Sequence, residues 1–261
     1  MPLKSPSLPD LINIARQAGD VLRDCFGQNM RVDHKGIIDL VSEADHQSEQ
    51  LLLGFIRQHF PGDHIVAEES GDLAGDSDQS WFIDPLDGTV NYVHGVPIYS
   101  VSIAYAEKGK LRLGVVYDPS RDECFSAELG GGAWLNDEPI HPASASDLDQ
   151  ALLVTGFPYD VRTNPDNNLD HYVYFALHSQ GVRRLGSAAL DLCYVACGRL
   201  DGFWELRLNA WDVAAGGLIA REAGAVVTNL AGAQDFISPP QSILAANATL
   251  HAMMLHGVNR K

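Results

Sequence analysis

The sequence predicts an α/β protein, an α+β layered sandwich in which helices and mixed sheets alternate and two lobes enclose a cleft. Three observations predict it. Two early segments, 8–26 and 42–60, carry apolar residues at helical spacing. Short β-branched and aromatic runs then recur between about residues 64 and 127. After about residue 145, strand-like and helix-like segments alternate to the end of the chain. Mixed order followed by alternation implies two layered units, and a cleft between such units is a preferred place for a ligand.

In the first segment Ser7 suits the N-cap, and Pro9 and Asp10 suit the first turn. Leu11, Ile14, Ala15, Ala18, Val21, Leu22 and Cys25 keep one face apolar. The segment 42–60 turns Leu51, Leu52, Phe55 and Ile56 inward, and Pro61-Gly62 ends it. Strands are expected at 64–67, 81–83, 101–105, 113–117 and 124–127. Gly130-Gly131-Gly132 lies between strand-like runs with no helix start behind it, so it reads as a turn and not a phosphate loop. Beyond it, strands are expected at 152–155, 182–185, 202–205, 226–228 and 243–246. Helices at 169–178, 187–197 and 211–223 alternate with them, and a terminal helix follows.

The 261 residues are enough for one large domain or two smaller lobes. A hydrophobic content of 46% and mean hydropathy of −0.07 are ordinary for a globular protein. No apolar run reaches the roughly 18 to 20 residues of a membrane helix. The opening MPLKSPSLPD lacks the apolar stretch of a signal peptide, so a cytoplasmic location is expected. Four cysteines without a tight framework agree with a reducing compartment. Cys193 and Cys197 share a helical face and read as small core residues. A net charge of −16 argues against membrane-surface or direct nucleic-acid binding. It leaves an anionic substrate open, because a divalent cation reverses the sign of a local site.

The stretch WFIDPLDGTVNYVHG, residues 81–95, runs a core strand straight into Asp84 and Asp87 and a Gly-Thr pair. Asp-rich turns and caps give it an ordinary structural reading. A metal site beside an anion site is the other. Asp45, Glu68, Asp84, Asp87 and Asp212 all sit at apolar strand ends or helix starts, where carboxylates from different elements converge. Pro85 fixes φ and lacks an N–H, so the turn can aim the Leu86 carbonyl with both carboxylates. Asp87 suits an N-cap, and the N–H groups of Gly88 and Thr89 suit a phosphate.

DLVSEAD (39–45), AEES (67–70), DPLDGTVNYVHG (84–95), RRLGSAALDLCYVACGRLDGFWE (183–205) and WDVAAG (211–216) occur in one order. That series resembles the inositol monophosphatase family, in particular its bacterial branch, over nearly the whole chain. The resemblance implies a Mg²⁺-dependent, lithium-sensitive phosphatase holding two to three ions. Glu68, Asp84 and the Leu86 carbonyl match ligands of one ion; Asp84, Asp87 and Asp212 match ligands of a second. A third would sit near Glu68 and Glu69. Gly88 and Thr89 match the phosphate-binding turn, and Gly186, Ser187, Ala188 and Glu205 match positions that hold substrate hydroxyls. Arg183 matches a basic residue near the substrate, often across a dimer interface, and Lys35 a lysine before D-L-V. In the implied mechanism Thr89, oriented by Asp45, aligns an activated water for in-line attack on the phosphorus.

The resemblance also implies a lobe at 1–145 carrying most ligands and one at 146–261 carrying Asp212 and the substrate positions. The expected substrate is a small phosphorylated polyol, myo-inositol monophosphate first, and the expected assembly is a homodimer. The helix within 187–197 reads as interface or core. Sister phosphatases acting on fructose 1,6-bisphosphate, adenosine 3′,5′-bisphosphate or histidinol phosphate share the acidic core. Val90-Asn91-Tyr92 stands where the nucleotide and histidinol branches carry a lysine, which favours the inositol type. A regulatory protein retaining the fold is the rival from another class. His94, His141 and His171 fit no nucleophile and read as structural or solvent-facing.

Overall fold

The computed structural model describes residues 5–36 and 38–260. The first half contains α1 (Leu8–Cys25), β1 (Val32–His34), β2 (Leu40–Ser42), α2 (Glu43–His59), β3 (His64–Ala67), β4 (Gly71–Leu73), β5 (Gln79–Asp87) and α3 (Thr89–Val93). It continues with β6 (Ser100–Glu107), β7 (Lys110–Asp118), β8 (Glu123–Glu128), β9 (Gly132–Leu135) and β10 (Glu138–Pro139). The second half contains β11 (Leu152–Thr155), α4 (Leu169–His178), β12 (Gly181–Arg183), α5 (Ala188–Ala196), β13 (Gly202–Leu206) and α6 (Ala210–Glu222). It ends with β14 (Val226–Thr228), β15 (Ser242–Ala246) and α7 (Ala248–Val258).

One sheet runs β10-β9-β8-β7-β6-β5-β3-β4 and a second runs β12-β11-β13-β15-β14. The first is antiparallel except where β3 meets β5; in the second, β11 is parallel to both neighbours. Strand alternation sorts side chains into three cores. On β6, Val101, Ile103 and Tyr105 face the core with α1 and α2, whereas Ala104 and Ala106 face α5 and α6. On β13, Phe203 faces α5 and α6, and Trp204 faces α4 and α7. The layers are therefore α1/α2, first sheet, α5/α6, second sheet, α4/α7. The α+β layered sandwich expected from the sequence is the fold observed.

Local chemistry explains the ends of these elements. Ser7 N–H donates to Asp10 Oδ2 at 2.9 Å and Asp10 N–H donates back to Ser7 Oγ at 3.3 Å, a reciprocal cap on α1. Both faces of α5 and α6 are buried between the sheets, so neither helix keeps a polar side. Small residues let α6 approach closely: a Cβ on Gly114 of β7 would stand 3.0 Å from the Ala215 carbonyl oxygen. The helix read as interface or core is core: Ala189, Leu190, Leu192, Cys193, Val195 and Ala196 are buried, within the layer shared with β6 to β8.

The structure adds β1, β2, β4, β9, β10 and α3, each five residues or fewer and too short to show a period. Gly130-Gly131-Gly132 is the turn between β8 and β9, as expected, with positive φ at Gly130 and Gly132. Among the described residues no helix is long and apolar enough to cross a membrane.

Candidate active site

Strand β5 continues through both aspartates, although the sequence suggested that it ends before them. Its pairing with β6 shifts register between Asp84 and Asp87, at the proline that cannot donate to the ladder. Inside that irregularity Leu86 N–H donates to Asp84 Oδ1 at 3.0 Å, and Ser48 Oγ of α2 donates to the Pro85 carbonyl at 2.8 Å. Gly88 follows at φ +97°, where a Cβ would lie 2.9 Å from the Ile98 carbonyl oxygen. Only glycine fits that turn. It delivers Thr89 back toward α2.

Two of the five acids are the third residues of the helices that they cap. Asp45 is the third residue of α2, and its Oδ2 accepts from Ser42 N–H at 2.8 Å and Ser42 Oγ at 2.6 Å. That cap leaves Oδ1 to accept from Thr89 Oγ1 at 2.9 Å. Asp212 repeats the device on α6, accepting from Asn209 N–H at 2.6 Å. Each cap fixes one carboxylate oxygen and presents the other.

Asp87 is not the N-cap of the following helix, as the sequence suggested; Gly88 occupies that position. Asp87 caps α5 instead, one hundred residues away. Its Oδ2 accepts from Ser187 Oγ at 2.6 Å and Ala189 N–H at 2.8 Å, and Oδ1 accepts from Ala188 N–H at 3.3 Å. Those donors hold down a carboxyl that burial pushes up to about 6. Ser187 and Ala188, read as substrate contacts, thus also clamp Asp87.

Glu68 leaves β3 beside β5, and burial pushes its carboxyl up to about 7. Lys35 Nζ donates to Glu68 Oε1 at 2.9 Å and Glu69 Oε1 at 2.6 Å. Those two glutamates hold the ammonium above its ordinary value although burial opposes them. Asp84, 2% exposed, lies well above the ordinary range through burial and then the charges of Glu68, Asp87 and Asp212. Asp212 is raised by burial and by Glu68 and Asp87, against the Asn209 N–H. Glu68, Asp87 and Asp212 thus all repel Asp84.

This donor set fits a hard divalent cation: it is all oxygen, contributed by carboxylates and a carbonyl, and Lys35 offsets only part of its negative charge. Thr89 Oγ1 lies 2.9 Å from Asp45 Oδ1 and 3.0 Å from the Leu86 carbonyl, with one proton for both. Given to the carboxylate, that proton leaves the carbonyl available to a cation. Among the described residues no three acids form a closed metal-holding group, and Lys35 is the cation in contact with Glu68.

A cleft of about 120 Å³ opens beside the acids. Asp87, Gly88, Thr89, Gly186, Ser187, Ala188, Glu205 and Asp212 line it. Glu205 packs so closely on Gly156 that any Cβ there would collide with its carboxylate. Asn91 Nδ2 donates to the Leu185 carbonyl at 2.7 Å and the Ile98 carbonyl at 2.9 Å, tying the segment between β12 and Gly186 to α3. Arg183 lies at the exposed end of β12 and does not line the cleft; Arg184 does. β12 ends at Arg183, so Arg184 stands in the segment that leads on to Gly186, and the doublet alone carries no sign of where the strand stops. Sequence reasoning also missed Asp191, which lines the cleft as the sole charged residue of the run 188–198. A lone charge in an apolar helix was the available signal. His94, His141 and His171 lie outside the lining.

A model described as the inositol monophosphatase family matches residues 5–260. Inositol-1-monophosphatase of Mesorhizobium japonicum is 41% identical over 260 residues, covering 98% of this chain and 97% of that one. Nus factor SuhB of Pasteurella multocida is 42% identical over 252 residues, covering 93% and 92%. The solved structure of inositol monophosphatase from Anabaena (Nostoc) superposes with a TM-score of 0.87 at 42% identity, covering 96% of this chain and 94% of that chain.

Proposed function

The chain belongs to the inositol monophosphatase family, and we propose that it hydrolyses myo-inositol monophosphate to inositol and phosphate. Glu68, Asp84, the Leu86 carbonyl, Asp87 and Asp212 would hold Mg²⁺ as two ions, with a third near Glu68 and Glu69. Bound magnesium supplies charge neutralisation for phosphoryl oxygens and a more acidic water.

The observation that carries this reading is the Thr89–Asp45 hydrogen bond of 2.9 Å beside those acids. With its proton given to Asp45, Thr89 Oγ1 keeps lone pairs to accept from a water and orient it for in-line attack. The water oxygen bonds to phosphorus as the bond to the alcohol oxygen breaks, the departing alkoxide takes up the proton that the water gives up, and no covalent enzyme intermediate is needed. The N–H groups of Gly88 and Thr89 face the phosphate, and Ser187, Ala188 and Glu205 face the polyol. Arg183, outside the lining, serves the site only across a dimer interface.

Homodimerisation is supported by the outer face of α4, where Leu169, Val173 and Leu177 are 46%, 53% and 76% exposed at i, i+4 and i+8. The name Nus factor SuhB on the Pasteurella relative supports a regulatory role beside turnover. Phosphate release should be measured from inositol phosphate, fructose 1,6-bisphosphate, adenosine 3′,5′-bisphosphate and histidinol phosphate. Inositol phosphate should be preferred, turnover should require Mg²⁺, and lithium should inhibit. Full turnover in excess chelator, or a preference for another substrate, overturns this reading.

A further inference from the structure

The floor of the cleft holds a carboxyl that the reaction described above does not use. Asp191 lies in the first turn and a half of α5, is 1% exposed, and lines the cleft. Its Oδ1 has no hydrogen-bond partner among the described residues. Two buried acids nearby do have donors: Asp45 has Ser42 and Thr89, and Asp87 has Ser187, Ala188 and Ala189.

A structural role does not account for that difference. An acid near a helix N-terminus gains from the dipole, yet it gains as much at the surface, where water satisfies both oxygens. Burying an unpaired carboxyl oxygen is costly and is tolerated where a ligand completes it. The groups whose charges reach Asp191 define that ligand: Glu205 and Asp87 are negative and Arg184 is positive. Two carboxyls disfavour an anionic group there, and Arg184 offsets part of their pull on a cation. A neutral hydroxyl, which both donates and accepts, satisfies the oxygen without adding charge.

We propose that Asp191 is a second specificity-determining residue beside Glu205, engaging through Oδ1 a polyol hydroxyl other than the one Glu205 engages. Two carboxyls on the cleft floor then read two hydroxyls of one ring. This rests on the phosphatase reading above.

The test compares kcat/KM for inositol phosphate with that for ethyl phosphate, whose alcohol carries no further hydroxyl, in the parent, Asp191→Ala and Asp191→Asn. The ratio of the two should fall at least about tenfold in Asp191→Ala, the scale of a lost hydrogen bond to a buried polar group. It should recover in part in Asp191→Asn, whose amide still exchanges a hydrogen bond. A ratio within about twofold of the parent in both variants overturns the proposal, as does an equal loss on both esters. Asp191→Asn preserves shape, so it decides the matter should Asp191→Ala not fold. If the parent hydrolyses neither ester, the phosphatase reading is what has failed. Calorimetric titration of inositol phosphate into the parent and Asp191→Asn then judges Asp191 alone: weaker binding in the variant upholds it, and equal or absent binding overturns it.

Discussion

At the scale of single residues, the two oxygens of one carboxylate do different jobs. Asp45 spends Oδ2 on the Ser42 cap and Oδ1 on Thr89, so helix formation and hydroxyl orientation are one event. Thr89→Ala removes the aligned hydroxyl and keeps the residue-89 N–H. Turnover should fall roughly a hundred- to a thousandfold, the usual effect of losing one positioned transition-state group. Calorimetric Mg²⁺ affinity should stay near the parent's. Asp84→Asn should differ in kind, because Asp84 faces Glu68, Asp87 and Asp212 together. Turnover and tight Mg²⁺ binding should both disappear. Near-parent turnover in Thr89→Ala, or parent-like titration in Asp84→Asn, would show the roles to be misassigned.

At the scale of elements, α4 and α7 cover the outer face of the second sheet and bring two histidines into half-dry surroundings. His251 of α7 is 6% exposed, with Nε2 2.9 Å from Thr228 Oγ1. Burial lowers its pKa. His171 of α4 is lowered by burial and then by Arg260, against the Val258 backbone and the charges of Asp166 and Asp170. Folding therefore favours the neutral rings. Their contribution is fully present above the unfolded histidine value of about 6.5 and is lost as pH falls through the lower folded value. The raised carboxyls of Glu68, Asp84 and Asp212 act oppositely, gaining stability as pH falls. The readout must therefore be a difference between chains. Urea midpoints of the parent and His251→Gln, taken at pH 7.5 and 5.5, should show the parent losing more on acidification. Equal changes would remove His251 from the account.

At the scale of the whole molecule, the exposed apolar stripe of α4 stands out on a chain of net charge −16. General repulsion disfavours association, so an interface there must be apolar and local. Leu177, 76% exposed, is its most accessible member. Sedimentation should find a parent dimer at micromolar concentration and a Leu177→Asp monomer. A parent monomer, or a Leu177→Asp dimer of unchanged affinity, would exclude this face.

The sequence by itself determined the type of the longer elements and which acids stand near strand ends and helix starts. Helices such as Leu8–Cys25 and strands such as His64–Ala67 and Leu152–Thr155 announce themselves through periodicity and caps, which are local properties. The Asp-Pro-Leu-Asp-Gly-Thr run identifies its own turn, because proline and glycine restrict backbone geometry without help from distant residues. Tertiary structure alone decided what each acid faces. Asp87 looks like the cap of the helix that follows it, yet it caps α5 because β5 runs on and Gly88 takes the turn. Arg184 and not Arg183 lines the cleft because of how β12 ends, and α5 is core because a second sheet covers its far side. These outcomes depend on contacts about a hundred residues apart, and a long-range pairing leaves no period in the chain that makes it.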